Sequence, residues 1–216
     1  MNNKVKSLSL KIQRKLLAPI RKKSLDRTDF TILSNNCWAG HVYRYFDLPY
    51  STPTVGLFFY APDYIKLINN AKYYFAQELK FISYERSKYR DDLIRRGYQQ
   101  KPIGMIGDVE IIFLHYSDEN EAREKWERRT ARMNFDNLII KFSQQNLCTE
   151  KELKSFDELN FNKKLMFVNK PDMPYDCAVY YPGYEDKTEV ENDTVFFDQY
   201  VDLKELINSP VCKYEN

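Results

Sequence analysis

The sequence predicts an α/β fold: three layers, with helices on both faces of a mixed, mostly parallel sheet, preceded by a basic amphipathic helix. Three observations carry this. Residues 138–168 spell strand, helix, strand: Leu138 to Phe142 is apolar, Thr149 and Glu152 form a capping box for a helix bearing Leu153, Phe156 and Leu159, and Leu165 to Val168 returns as a strand. Thr54-Val55-Gly56-Leu57-Phe58-Phe59 is an almost unbroken apolar run, as in a strand buried on both faces. Phe30 to Leu33 is a short apolar run that ends in Ser34-Asn35-Asn36-Cys37, a polar turn of the kind found where strands of an α/β sheet end.

The elements follow in order. In residues 2–20, Val5, Leu8, Ile12, Leu16 and Ile20 recur at helical spacing among lysines and arginines, and Pro19 is expected to kink or end the helix. After the first strand, Val42 to Phe46 suits a helix. Pro49 and Pro53 hold 47–53 as a loop. Pro62 opens a helix whose apolar face is Tyr64, Ile68, Ala71, Phe75 and Leu79. Leu79 to Tyr84 reads as a strand or as that helix's end. Tyr89 to Gly97 reads as a short helix stopped by Gly97. Pro102 to Ile106 and Val109 to Tyr116 form a hairpin about Gly107-Asp108, with His115 near the strand's carboxyl end. Asp118 caps a helix with Ala122, Trp126, Arg129 and Met133 on one stripe. Residues 177–180 read as a strand and 200–207 as a last helix. Two units result: a basic arm, 1–27, and a single α/β domain, 28–216.

Of 216 residues, 43% are hydrophobic and 15% aromatic, enough for a packed core. Residues 1–25 hold eight Lys or Arg and no acid. The rest holds 25 basic against 31 acidic residues, a net of −6 that argues against nucleic acid as a partner. The arm suits an anionic membrane surface, through residues 2–23, or simple packing as a basic helix. No apolar run reaches the ~18 residues of a membrane span. Cys37, Cys148, Cys177 and Cys212 are scattered and without a C-x-x-C pair. With only His41 and His115 beside them, no metal site is expected. Free cysteines and no signal peptide suggest the cytoplasm, with the arm on the membrane's inner face as the further expectation.

Two constellations bear chemistry. Cys37 lies where a strand gives way to a helix, so a neighbouring His115 would make a thiol–imidazole pair, with Asn35 or Asn36 to orient it. The plain alternative is a small buried cysteine and a hydrogen-bonded strand-end histidine. For glycan transfer, Arg128, Arg129 and Arg132 would meet phosphate, Asn35, Asn36 and Asn137 would meet sugar hydroxyls, with His41 also in the substrate site, and Trp38 and tyrosines would stack on a sugar face. There is no Asp-x-Asp motif and no Gly-rich phosphate loop, and no cofactor is implied. Glu191-Asn192-Asp193 is too common a pattern to count.

Several stretches together resemble a bacterial family of unknown function associated with exopolysaccharide or capsular-polysaccharide biosynthesis. They are Ser34-Asn35-Asn36-Cys37-Trp38-Ala39-Gly40, Leu48-Pro49-Tyr50-Ser51-Thr52-Pro53-Thr54-Val55-Gly56-Leu57-Phe58, His115-Tyr116, Glu121-Ala122, Lys125-Trp126, Arg128-Arg129, Cys148-Thr149-Glu150, Phe156-Asp157-Glu158-Leu159 and Phe167-Val168-Asn169-Lys170. Ala39 stands where glycine is expected as often. The resemblance covers residues 28–206 and leaves out the arm. It implies an α/β fold and a setting among surface-glycan genes, without a reaction or catalytic residues. The expectation is a transferase that modifies or extends a surface glycan, with a sugar nucleotide or lipid-linked glycan precursor as substrate. A thiol hydrolase or acyltransferase, and a non-catalytic adaptor of a glycan-synthesis complex, are the alternatives.

Overall fold

The structure, a computed structural model, describes residues 3–210, with the side chains of residue 10 and of residues 12–210. Cys212 and the side chains of Val5 and Leu8 lie outside the described residues. The chain opens with helix α1 (Asn3–Lys23). Strand β1 (Thr31–Ser34) and helix α2 (Trp38–Tyr45) follow. Helices α3 (Ala61–Asn69) and α4 (Ala71–Phe75) lead to strand β2 (Lys80–Ile82). Next come α5 (Arg90–Arg96), β3 (Ile103–Ile106), β4 (Val109–Ile112) and α6 (Glu119–Thr130). The last elements are β5 (Leu138–Ser143), α7 (Glu150–Asp157), β6 (Lys164–Val168), β7 (Ala178–Tyr180) and α8 (Leu203–Asn208).

The fold is α/β, as expected. The main sheet runs β1-β5-β6-β7 and all its pairings are parallel. Antiparallel pairing is confined to a second sheet, β2-β3-β4. Side chains alternate across each parallel strand. Ile140 and Phe142 of β5 meet Met166 and Val168 of β6 in a core closed by Tyr64, Leu67 and Ile68 of α3, Phe156 of α7 and Trp126 of α6. Ile139 and Phe167 face the other way, where Trp38, Val42 and Tyr43 of α2 and Leu203 and Ile207 of α8 cover them.

Three expectations change. The apolar run 54–59 is buried except at half-buried Val55 and Gly56, but joins neither sheet as a strand; a single bridge pairs Phe58 with Ile112. Its other backbone groups go elsewhere, Phe59 N–H to Asn35 and the Val55 carbonyl to side chains. The long helix from Pro62 breaks at Asn70 (φ −144°, ψ 58°) into α3 and α4, while its apolar face stays buried. α1 continues past Pro19 to Lys23. Pro19 and Lys15, whose carbonyl Pro19 leaves without a donor, both lie on the exposed side, within reach of water.

α1 lies against α2 in an orientation the sequence did not disclose. Arg14 forms an ion pair with Asp198, donates to the Val195 carbonyl at 2.6 Å and sits 4.6 Å from the centroid of Phe197. The Arg21 guanidinium stacks 3.8 Å from the Tyr45 ring centroid. These arginines face the body. The apolar stripe faces outward, with Ile12, Leu16 and Ile20 exposed by 56%, 72% and 67%.

Candidate functional site

At the carboxyl ends of β1 and β5 the chain buries an ion pair. Lys141, third from the end of β5, points to the α2 side and is wholly buried, as is Asp193 from the loop before α8. Its ammonium donates to Asn36 Oδ1 at 3.1 Å, to Ser143 Oγ at 2.7 Å and to Asp193. Asp193 also accepts from Ser143 and, through both carboxylate oxygens, from Asn36 Nδ2 at 3.0 Å. The lysine thereby spends its three donors on three acceptors, which is what a buried charge requires. Burial lowers the Lys141 pKa, and the Asp193 charge opposes that shift.

The same network shapes the turn out of β1. Ser34 Oγ donates to the Asn36 carbonyl at 2.7 Å and accepts from Ala39 N–H at 3.2 Å. Asn36 Oδ1 accepts from Trp38 N–H at 3.1 Å. The Asn35 side-chain amide exchanges two bonds with the backbone of Ser143, at 2.9 and 3.0 Å, tying the turn after β1 to the end of β5. Asn35 and Asn36 are thus bracing groups, with Asn36 the link between the turn and the ion pair.

Three predicted residues converge on one strip, Val55-Gly56-Leu57. The Cys37 thiol contacts the Leu57 carbonyl at 3.6 Å. Arg129 reaches the Val55 carbonyl at 3.3 Å and the Tyr116 hydroxyl at 2.6 Å, and Tyr116 in turn donates to Val55. His115 N–H donates to the Gly56 carbonyl at 2.9 Å. Gly56 has φ +76° and a Cβ there would lie 3.1 Å from Tyr116, so this close approach suits glycine. His115 takes part through its backbone; its side chain is exposed and makes no hydrogen bond with Cys37. Burial is the largest influence on the Cys37 thiol and raises its pKa, with Asp193 adding to the rise and Arg44 and Lys141 opposing it. A shift in that direction disfavours a thiolate nucleophile.

The remaining predicted residues separate. Trp38 is wholly buried, edge-on to Phe167 and Phe197, with the Lys141 ammonium 5.8 Å from its ring centroid. Its ring is core and offers no face to a sugar. Arg128 is exposed and pairs with Glu124 at 2.9 Å. Arg129, 8% exposed, pairs with no carboxylate among the described residues, and its guanidinium lies 5.1 Å from the Tyr50 ring centroid. His41, half-buried on α2, meets Phe197 edge-on at 6.4 Å. Beside it opens a groove of ≈ 590 Å³ between α1, α2 and the 47–50 loop. Among the described residues, no group of three His, Cys, Asp or Glu is placed to hold a metal ion.

Lys141, Ser143 and Asp193 were not singled out from the sequence. A signal existed for the first: one lysine inside the apolar strand Leu138–Ser143 must either reach water or find a carboxylate. Its partner lies 52 residues on, in a loop without periodicity.

Comparison with known proteins places this arrangement in a family. A domain family of unknown function, DUF1919, matches residues 8–209, so the match includes most of the basic arm as well as the sheet. An uncharacterized protein of Haemophilus influenzae is 33% identical over 187 residues, covering 87% of this chain and 84% of that protein. The chain belongs to the DUF1919 family of domains of unknown function.

Proposed function

We propose that this protein works in bacterial surface-polysaccharide synthesis, seated on the inner face of the membrane, as a transferase that modifies or extends a glycan. The observation that carries the membrane seat is the outward apolar stripe of α1. Three large aliphatic side chains, Ile12, Leu16 and Ile20, stand exposed on a helix that Arg14 and Arg21 fasten to the body. Lysines 15, 22 and 23 accompany the stripe, and the first 25 residues hold no acid. That combination suits a helix lying in the interface of an anionic bilayer. No helix among the described residues is long and apolar enough to cross a membrane. The polysaccharide setting is supported by the resemblance in the Asn35-Asn36-Cys37-Trp38 turn and the Leu48 to Phe58 stretch.

Vesicle co-sedimentation tests the seat. Wild-type protein is expected to pellet with vesicles containing a third phosphatidylglycerol and to stay in solution with pure phosphatidylcholine. Leu16→Glu/Ile20→Glu, two changes at exposed positions, is expected to stay in solution with both and to melt with the wild type. Equal behaviour of the two proteins on anionic vesicles would refute the seat and favour a soluble adaptor.

A further inference from the structure

We propose that the groove between α1 and α2 is the binding site for the diphosphate of a glycan precursor, a refinement that rests on the glycan reading above. Cations from both helices converge there. Lys15 of α1 and Arg44 of α2 line the groove, and neither pairs with a carboxylate among the described residues. The Arg44 Nε–H goes to the Gly40 carbonyl at 3.2 Å, which leaves the outer guanidinium nitrogens for a ligand. Arg14 also lines the groove, but Asp198 holds it. Asp47 is the carboxylate at the rim, and the cations outnumber it.

Size and lining point to more than a single phosphate. A volume of ≈ 590 Å³ falls in the range of small-molecule sites, ~300–1,000 Å³. Tyr45 and Tyr50 add aromatic walls, and Ala18 and Leu48 an apolar floor. Cations standing on two facing helices, rather than on one, suit an anion with several charged oxygens. Leu16, next to Lys15 in sequence, belongs to the outward stripe of α1. An anionic head in the groove and a hydrocarbon tail beside α1 would therefore share one helix. The diphosphate can belong to a lipid-linked sugar or to a sugar nucleotide, and both would be read by the same cations.

Isothermal titration of the full chain decides it, with inorganic pyrophosphate, farnesyl diphosphate and uridine diphosphate glucose as probes. Wild-type protein is expected to bind at least one of them. Lys15→Gln/Arg44→Gln is expected to bind it at least tenfold more weakly with an unchanged melting temperature. Tighter binding of farnesyl diphosphate assigns the lipid-linked source; tighter binding of the nucleotide sugar assigns the other. No binding of any probe, or equal affinity in the double variant, overturns the site. Vesicle binding of the wild type, run in parallel, keeps the two readings apart. Protein that pellets with vesicles yet binds no diphosphate loses the groove and keeps the seat; protein that binds diphosphate and ignores vesicles keeps the groove and loses the seat.

Discussion

Replacing Lys141 by Met removes one charge of a wholly buried pair and keeps the stem that runs between Trp38 and Phe167, whose ring centroids lie 5.8 and 5.3 Å from the ammonium. Asp193 then keeps only Asn36 and Ser143 as donors. Breaking a buried pair on one side costs about 3–5 kcal/mol, because the survivor stays charged in a medium that solvates it poorly. In a domain of this size each kcal/mol lowers Tm by roughly 2–4 °C, so Lys141→Met should melt about 6–20 °C below the wild type. Removing both charges relieves that penalty, although Asn36 and Ser143 then lose an acceptor. Lys141→Met/Asp193→Leu should therefore melt above the single variant. Scanning calorimetry of the four proteins closes the cycle. A Lys141→Met protein that melts with the wild type, or a double variant that melts no higher than Lys141→Met, would refute the claim that this pair organises the turn after β1.

Two adjacent arginines should behave differently. Arg129→Met leaves the Tyr116 hydroxyl oxygen without its donor, and the Val55 carbonyl with Tyr116 alone, and should cost about 1–3 kcal/mol in urea unfolding. Arg128→Ala removes an exposed pair with Glu124 and should stay within about 0.5 kcal/mol; equal effects would contradict the assigned orientations. Alkaline pH should destabilise the fold. Burial raises the pKa of Tyr43, Tyr64 and Tyr181 and of Cys37, and pushes Cys177 up to about 12. The folded chain then holds protons that the unfolded chain releases, so this stability is complete below the unfolded values and is lost as pH rises beyond about 9. Tm should fall steadily from pH 9 to 11, with tyrosinate absorbance rising together with unfolding; a constant Tm across that range would contradict it.

Much of the fold was legible because it rests on local patterns. The capping box at Thr149, the cap at Asp118 accepting from Glu121 N–H at 2.9 Å, and the left-handed Gly97 (φ 71°) each mark a boundary within a few residues of sequence. The apolar run 54–59 misled because continuous hydrophobicity reports burial and says nothing of where backbone hydrogen bonds go. The stripe on α1 was visible, but its direction was not. That depends on Arg14 meeting Asp198, 184 residues away. The site was half legible for the same reason. Cys37, Asn35 and Asn36 stand out in a turn, and Lys141 as a lone lysine in an apolar strand, whereas Asp193 gains meaning only from Lys141. Trp38 invited a sugar-stacking role because an aromatic beside polar residues looks the same whether its ring is exposed or buried.

The most direct test of the account moves the vesicle comparison into cells that make the polysaccharide. With the chromosomal copy replaced by Leu16→Glu/Ile20→Glu, the protein should leave the membrane fraction and surface polysaccharide should fall towards the level of a deletion strain. Unchanged polysaccharide in the deletion strain itself would contradict the glycan role. Normal polysaccharide with the variant displaced from the membrane would contradict the claim that the seat serves it.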